Sequence, residues 1–161
     1  MRFSQKATAI AALMVMASCD ITVEHSDAPA SGAAAEISMT REQFWAAARA
    51  GNVDSMLAFH LDTATYKLYE NGGMYDYAAQ ADGHKAMKDL GVNRIEFNVR
   101  VMDTVVFNRS HAMETWDGTT VTWLNSGQKD TSGRFFVTIL YTRTPEGWKF
   151  SYLHSSSKPS N

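Results

Sequence analysis

The stretch Gly133–Ser156, GRFFVTILYTRTPEGWKFSYLHSS, has the clearest strand pattern in the chain. Two runs rich in β-branched and aromatic residues flank the segment 144–147, Thr-Pro-Glu-Gly, which is typical of a tight turn. The pattern therefore predicts two long antiparallel strands. One starts at Arg134 and the other ends near His154, so these two side chains are expected at the same end of the hairpin.

Alternation along these strands predicts which side chains face a pocket. The aromatic face of the second strand carries Trp148, Phe150, Tyr152 and His154, and we expect the first strand to add Arg134, Phe136 and Thr138 to it. The opposite face of the first strand is then convex and apolar, with Phe135, Val137, Ile139 and Tyr141. Such a face needs covering, which predicts a homodimer that light scattering would detect.

The composition is that of one globular domain. The 161 residues are 45% hydrophobic, which is enough for a single core, and a net charge of -2 gives no electrostatic reason to expect nucleic acid as a partner. No Gly-rich phosphate loop and no histidine or cysteine spacing typical of a metal site is present, so we expect neither a cofactor nor a metal.

The segment 1–19, MRFSQKATAIAALMVMASC, resembles a secretory signal. Arg2 and Lys6 precede the apolar run 7–17, which is too short for a membrane-spanning helix, since that needs about 20 residues. The only cysteine of the chain, Cys19, follows small residues as in the lipobox of bacterial lipoproteins.

This resemblance implies a signal peptide over 1–18, lipidation of Cys19 and a flexible linker over 19–37. The expected location is the bacterial cell envelope, with the protein anchored to the membrane and facing the periplasm. Asp20 favours the inner membrane. A plain secretory signal with an incidental cysteine is the alternative, and membrane fractionation of Cys19→Ser would separate the two.

Helices are expected before the long strands. Thr40 begins a capping-box pattern and so predicts the start of a first helix, which Gly51 ends. Asn52 is placed to cap a second helix reaching about His60. Further along the chain we expect a strand over 64–70, a turn over 71–73, a helix over 83–90, a strand over 95–107 with a bulge near Asp103, and a strand over 111–124.

Helices followed by a meander of long strands indicate an α+β fold. Sheets of this length twist and curl. We therefore expect a cone-shaped, antiparallel or mixed sheet with the N-terminal helices packed over its concave face, enclosing an apolar pocket.

Three features resemble the nuclear transport factor 2-like superfamily, and within it the SnoaL-like and ketosteroid-isomerase-like branches. They are Gly-Asn-Val-Asp at 51–54, Gly-His-Lys-Ala-Met at 83–87, and the ending Gly-Arg…Gly-Trp-Lys-Phe…His-Ser-Ser. The resemblance covers about residues 38–156 and leaves 157–161 as a disordered tail.

The resemblance implies three functions. In the first, the cone binds a small apolar or anionic ligand through Arg134, Tyr152, His154, Trp116 and Tyr69. In the second, a lyase or isomerase uses His154, Asp62 or Asp103 as a base and Tyr66 as a hydrogen-bond donor. In the third, the domain is a non-catalytic dimerisation or assembly module. Apart from these functions, Arg134 and His154 have a purely structural alternative, in which Arg134 pairs with an acid and His154 bonds a neighbouring backbone group at the end of the sheet.

Overall fold

The computed structural model describes residues 32–157. In chain order it contains α1 (Ala33–Arg49), α2 (Val53–Leu57), β1 (Lys67–Glu70), β2 (Gly73–Tyr75), α3 (Tyr77–Asp89), β3 (Val92–Val106), β4 (His111–Leu124), β5 (Lys129–Thr131), β6 (Phe135–Thr144) and β7 (Gly147–Ser157). The predicted signal peptide, Cys19, Asp20 and most of the predicted tail lie outside the described residues.

The strands form one mixed, curled sheet that does not close, in the order β2-β1-β7-β6-β4-β3, with β5 paired to β4. Neighbours are antiparallel except β1 and β7, which run parallel. The helices pack over the concave side, so the predicted fold class is confirmed. Within the described part of the chain, no helix combines the length and the apolar character needed to cross a membrane.

The first helix begins earlier than the sequence predicted. It starts at Ala33, inside the expected linker, and Thr40 is an internal residue whose hydroxyl donates to the Glu36 carbonyl at 3.0 Å. The predicted capping box is therefore wrong. The physical reason is a buried stripe at helical spacing that continues N-terminal to Thr40, consisting of Ala33, Ile37, Thr40, Phe44 and Ala48.

The link between the first two helices follows the prediction. Gly51 has a φ of 64° and lies so close to the Asn93 backbone that a Cβ would be 2.2 Å from the Asn93 oxygen. Asn52 caps α2 by accepting a hydrogen bond from the Ser55 amide at 3.0 Å. The helix ends at Leu57, short of His60, because the following segment pairs with β7: the Leu61 amide donates to the Phe150 carbonyl at 2.9 Å.

The third helix is longer than predicted. It starts at Tyr77 rather than near Gly83, because the Asp76 side chain caps it through the Ala79 amide at 2.9 Å. The extra turn and a half matters for the site, since it brings Gln80 onto the same face as His84.

Two bulges decide which side chains face the hollow. The bulge predicted near Asp103 is present between Val101 and Asp103. A second bulge was not predicted: Leu140 pairs with Tyr152 and Tyr141 with Phe150, which leaves Ser151 without a partner in β7. A one-residue insertion moves every later side chain to the opposite face.

The predicted faces of the closing hairpin were therefore wrong for most positions. Trp148 and Phe150 point inward as expected, but beyond Ser151 the inward residues are Leu153 and Ser155, and Tyr152 and His154 lie on the outer face. In β6 the inward set is the one expected to be convex, Phe135, Val137, Ile139 and Tyr141. The homodimer stays a prediction, and these four residues do not form its surface.

A buried carboxylate joins α1 to the sheet. Glu114 is fully buried and its oxygens accept hydrogen bonds from the Arg41 guanidinium at 2.6 Å and the Tyr141 hydroxyl at 2.9 Å. Trp116 Nε1 donates at 3.0 Å and the Thr104 hydroxyl at 3.1 Å. The carboxylate is thus surrounded by donors, one of them charged.

Candidate ligand-binding site

A cavity of about 560 Å³ lies between the helices and the concave side of the sheet. Its wall is mainly apolar and consists of Phe44, Leu68, Met87, Phe97, Trp116, Phe135, Val137, Ile139, Phe150 and Leu153. The polar lining residues are Glu70, Gln80, His84, Thr120, Ser132, Ser155 and Ser157. Size and lining are those of a small-molecule site.

His84 is the polar group that stands out in this wall. It is 4% exposed, and its Nδ1–H donates to the Gln80 carbonyl at 2.9 Å. Since Nδ1 carries the proton, Nε2 is left as an acceptor, and no described residue forms a hydrogen bond with it. Burial lowers the pKa of His84, so the ring is neutral near pH 7.

Three buried side-chain nitrogens lack a partner within the described residues: Arg41 Nε, Trp45 Nε1 and His84 Nε2. Only His84 also lines the cavity. A buried polar atom without a partner is unfavourable, and in a binding site it is the atom that a ligand satisfies.

A second buried imidazole lies behind His84. The ring of His60 is 5.5 Å from that of His84, and a hydrogen bond of 2.8 Å joins His60 Nδ1 to the Tyr66 hydroxyl. Burial, with a smaller contribution from His84, lowers the pKa of His60 to about 3. Burial raises the pKa of Tyr66. Both groups are therefore neutral at physiological pH.

No positively charged side chain is found among the described residues of the cavity wall. Among the described residues that line the cavity there is no Lys and no Arg, and Glu70 is the one charged side chain. An anion that entered this cavity would lose its hydration without gaining a cationic partner.

Of the five residues predicted to hold a ligand, only Trp116 lines the cavity, together with Phe150, which was predicted to face the pocket. Tyr69, Tyr152 and His154 lie together on the outer face, where the Tyr69 and Tyr152 rings are 5.6 Å apart and Tyr69 is paired with His154 across the strands. They lie there because the bulge at Ser151 reverses the faces of the β7 residues that follow it, and β1 pairs with this part of β7.

Arg134 is also on the outer face, in a two-pronged ion pair with Asp117. Its Nε and Nη2 donate to the Asp117 oxygens at 2.7 and 2.6 Å. The hydrogen bond and charge of Arg134 hold the pKa of Asp117 below its usual range. Pairing of Arg134 with an acid is the structural role that was predicted as an alternative to ligand binding. Two nitrogens of the Arg134 guanidinium are already bonded to Asp117.

The predicted bases do not reach the cavity. Asp62 lies in an exposed loop, and Asp103 is exposed because the β3 bulge directs it outward. Tyr66 is buried but is engaged with His60 and is not part of the cavity wall. In residues 32–157 no group of three or more His, Cys, Asp or Glu side chains is arranged to hold a metal.

Sequence reasoning missed His84 although a signal was present. Gln80 and His84 are four residues apart, so they share a helix face if the helix begins before Gly83. Asp76, followed by a run of alanines, is a cap signal that favours this earlier start. The inward face of β6 could also have been assigned from its more apolar set, Phe135, Val137, Ile139 and Tyr141.

A curled α+β cone enclosing an apolar cavity is the class of domain defined by these observations. The SnoaL-like domain model matches residues 37–159, and the chain belongs to this family. No curated protein sequence matches the chain.

Solved structures show the same fold. A nuclear transport factor 2-like protein from Streptomyces avermitilis, provisionally named a dehydratase, is 15% identical with a TM-score of 0.64, over 80% of this chain and 98% of that one. A ketosteroid isomerase-like protein from Erwinia carotovora atroseptica is 11% identical with a TM-score of 0.61, over 81% and 99%. At these identities the likeness establishes the fold alone.

Proposed function

We propose that this domain binds a small, mainly apolar molecule in the cavity, with a hydroxyl or N–H group of the ligand donating to His84 Nε2. The observation that carries the proposal is His84, which lines an apolar cavity and whose buried Nε2 has no partner among the residues that the structure describes. The ligand supplies the missing donor, while its body displaces water from the aromatic wall.

The charge of the wall favours a neutral ligand over the anion that the sequence suggested. Arg134 and His154, the groups expected to hold an anion, are outside the cavity. A neutral imidazole accepts a hydrogen bond and repels a carboxylate lone pair.

Three probes that differ in one group test this. Phenanthrol, its methyl ether and phenanthrene carboxylate share a ring system, and isothermal titration of the purified chain gives their affinities. We expect phenanthrol to bind about tenfold more tightly than the ether, because the ether leaves Nε2 unsatisfied. The carboxylate is expected to bind more weakly still.

Matched variants assign the effect to one imidazole. His84→Leu is expected to abolish the preference for phenanthrol over the ether. His154→Leu makes the same change on the outer face and should leave the preference intact. Equal binding of phenanthrol and its ether by the unaltered chain, or no binding of either, would sink the proposal.

A second candidate function, acid–base catalysis by a lyase or isomerase, is favoured by the Gln80–His84 pair. His84 is neutral, its Nδ1–H is fixed on a carbonyl, and the residue lines the cavity. Gln80 lines the same wall, and its side-chain amide can donate to a carbonyl oxygen. In such a step Nε2 takes a proton from the carbon next to a ketone, and the electron pair moves to the ketone oxygen.

Proton exchange measures this step directly. In heavy water, NMR of the bicyclic ketone tetralone should show loss of the proton signal next to the carbonyl faster with the unaltered chain than with His84→Leu. Exchange at the same rate with both proteins would rule out His84 as the base and leave the binding proposal standing.

A further inference from the structure

Gly83 occupies an unusual position, in the middle of α3. Glycine is among the least favourable residues in a helix interior, because it loses the most backbone freedom on folding. A glycine there calls for a reason.

The common reasons do not apply. The φ of Gly83 is not in the left-handed region that only glycine adopts readily. A Cβ built at this position meets nothing within 4 Å, so no neighbouring element requires the space. The residue is also exposed, so burial does not demand a small side chain.

What remains is its place in the cavity wall. Gln80, Gly83, His84 and Met87 form a strip of α3 that lines the cavity. Gly83 is next to His84 in sequence and lies between Gln80, one turn before, and Met87, one turn after. The missing side chain therefore makes a notch in the wall, open to solvent and next to His84 along the helix.

We infer that Gly83 is a size-selecting residue: the notch that it leaves in α3 admits ligands too wide to reach His84 past a side chain at this position. The inference rests on the proposed binding at His84, and it adds that the ligand is broad at the end that meets this helix.

Two probes of different width and one pair of variants test it. Titration of naphthol, with two fused rings, and phenanthrol, with three, is compared for the unaltered chain, Gly83→Leu and Gly83→Ala. We expect Gly83→Leu to weaken phenanthrol binding by about tenfold or more and naphthol binding by less than about threefold. Ala86→Leu adds similar bulk at an exposed position of α3 that does not line the cavity, and should change neither affinity.

Gly83→Ala keeps the test meaningful if the leucine variant folds poorly. It should raise the melting temperature, because alanine favours the helix, and weaken phenanthrol more than naphthol. Unchanged affinities in both glycine variants, or equal loss for both probes, would overturn the size selection while the preference for phenanthrol over its ether still supports binding at His84. If the unaltered chain shows no such preference, the proposed function itself is wrong.

Discussion

Glu114 and His84 are both buried polar side chains, and they differ in what surrounds them. Each oxygen of Glu114 accepts hydrogen bonds, from Arg41 and Thr104 on one side and from Trp116 and Tyr141 on the other. His84 lines the cavity, and within residues 32–157 its Nε2 has no partner.

This difference separates a structural group from a binding group. A buried carboxylate held by several donors contributes to the unique packing of α1 on the sheet, and it has no remaining capacity for a ligand. A buried imidazole with one free acceptor costs stability until something donates to it. The comparison predicts a large loss of stability when Glu114 is removed and little change when His84 is removed.

The largest effect is expected from Glu114→Ala. The change removes the acceptor of the largely buried Arg41 charge, of Thr104 and of the buried donors Trp116 and Tyr141, and breaking a buried pair in this way costs about 3–5 kcal/mol. Urea denaturation of the variant measures the loss in the free energy of unfolding.

Glu114→Gln is the matched control for shape. It keeps one acceptor oxygen and the side-chain volume, so its loss should be smaller than that of the alanine variant. An alanine variant as stable as the unaltered chain would show that the donors find other partners, and the contrast with His84 would fail.

Mildly acidic pH should lower the free energy of unfolding through the buried histidines His60 and His84. The pKa of His60 is about 3 in the folded protein and 6.5 in its ordinary state, so the unfolded chain binds a proton that the folded one does not. Stability therefore falls as the pH drops below about 6.5 towards 3, at about 1.4 kcal/mol per pH unit for this group, or about 2 kcal/mol at pH 5. The lowered pKa of His84 adds in the same direction.

Urea denaturation between pH 7.5 and 5 checks this. The window begins about one unit above the ordinary histidine pKa and ends just above the pKa values of most carboxylates. His60→Gln removes the titration of His60 and should reduce the slope, leaving the contribution of His84, whereas the same change at exposed His154 should not reduce it. A dependence of equal slope in the His60 variant would contradict the assignment.

The smallest effect on stability is expected from His84→Leu. Removing the ring loses the hydrogen bond to the Gln80 carbonyl but also removes an unsatisfied buried nitrogen, so the two changes offset to within about 1 kcal/mol. Urea denaturation of His84→Leu and Glu114→Ala under the same conditions compares the two losses in unfolding free energy directly. A loss as large as that of the carboxylate variant would mean that His84 is structural.

Much of the fold could be predicted because its signals are local. The Asn71-Gly72 turn, the Gly51 and Asn52 caps, and the strands over 92–106 and 111–124 each follow from neighbouring residue types. The start of α1 was less predictable, since Ala-rich sequence before Thr40 is compatible with linker and helix alike, and packing of Ala33 and Ile37 decided for the helix.

The candidate site was predicted only in outline. Alternation placed Phe150 on the inward face, where it lines the cavity, but one unpaired residue, Ser151, moved His154 and Tyr152 to the outer face. A bulge leaves a weak sequence signal, here only the change of apolar spacing from Trp148 and Phe150 to Leu153, because its cause is the fit between strands that are distant in sequence.

By itself, then, the sequence determined an α+β chain with a long closing hairpin and a sheet that must curl, since strand propensity, turn residues and caps act over a few residues. Only the tertiary structure decided which face of that hairpin lines the cavity. It also decided that His84, rather than Arg134 or His154, is the cavity residue with a buried, unsatisfied nitrogen. Register and burial are set by contacts between elements far apart in the chain, and a shift of one residue reverses them.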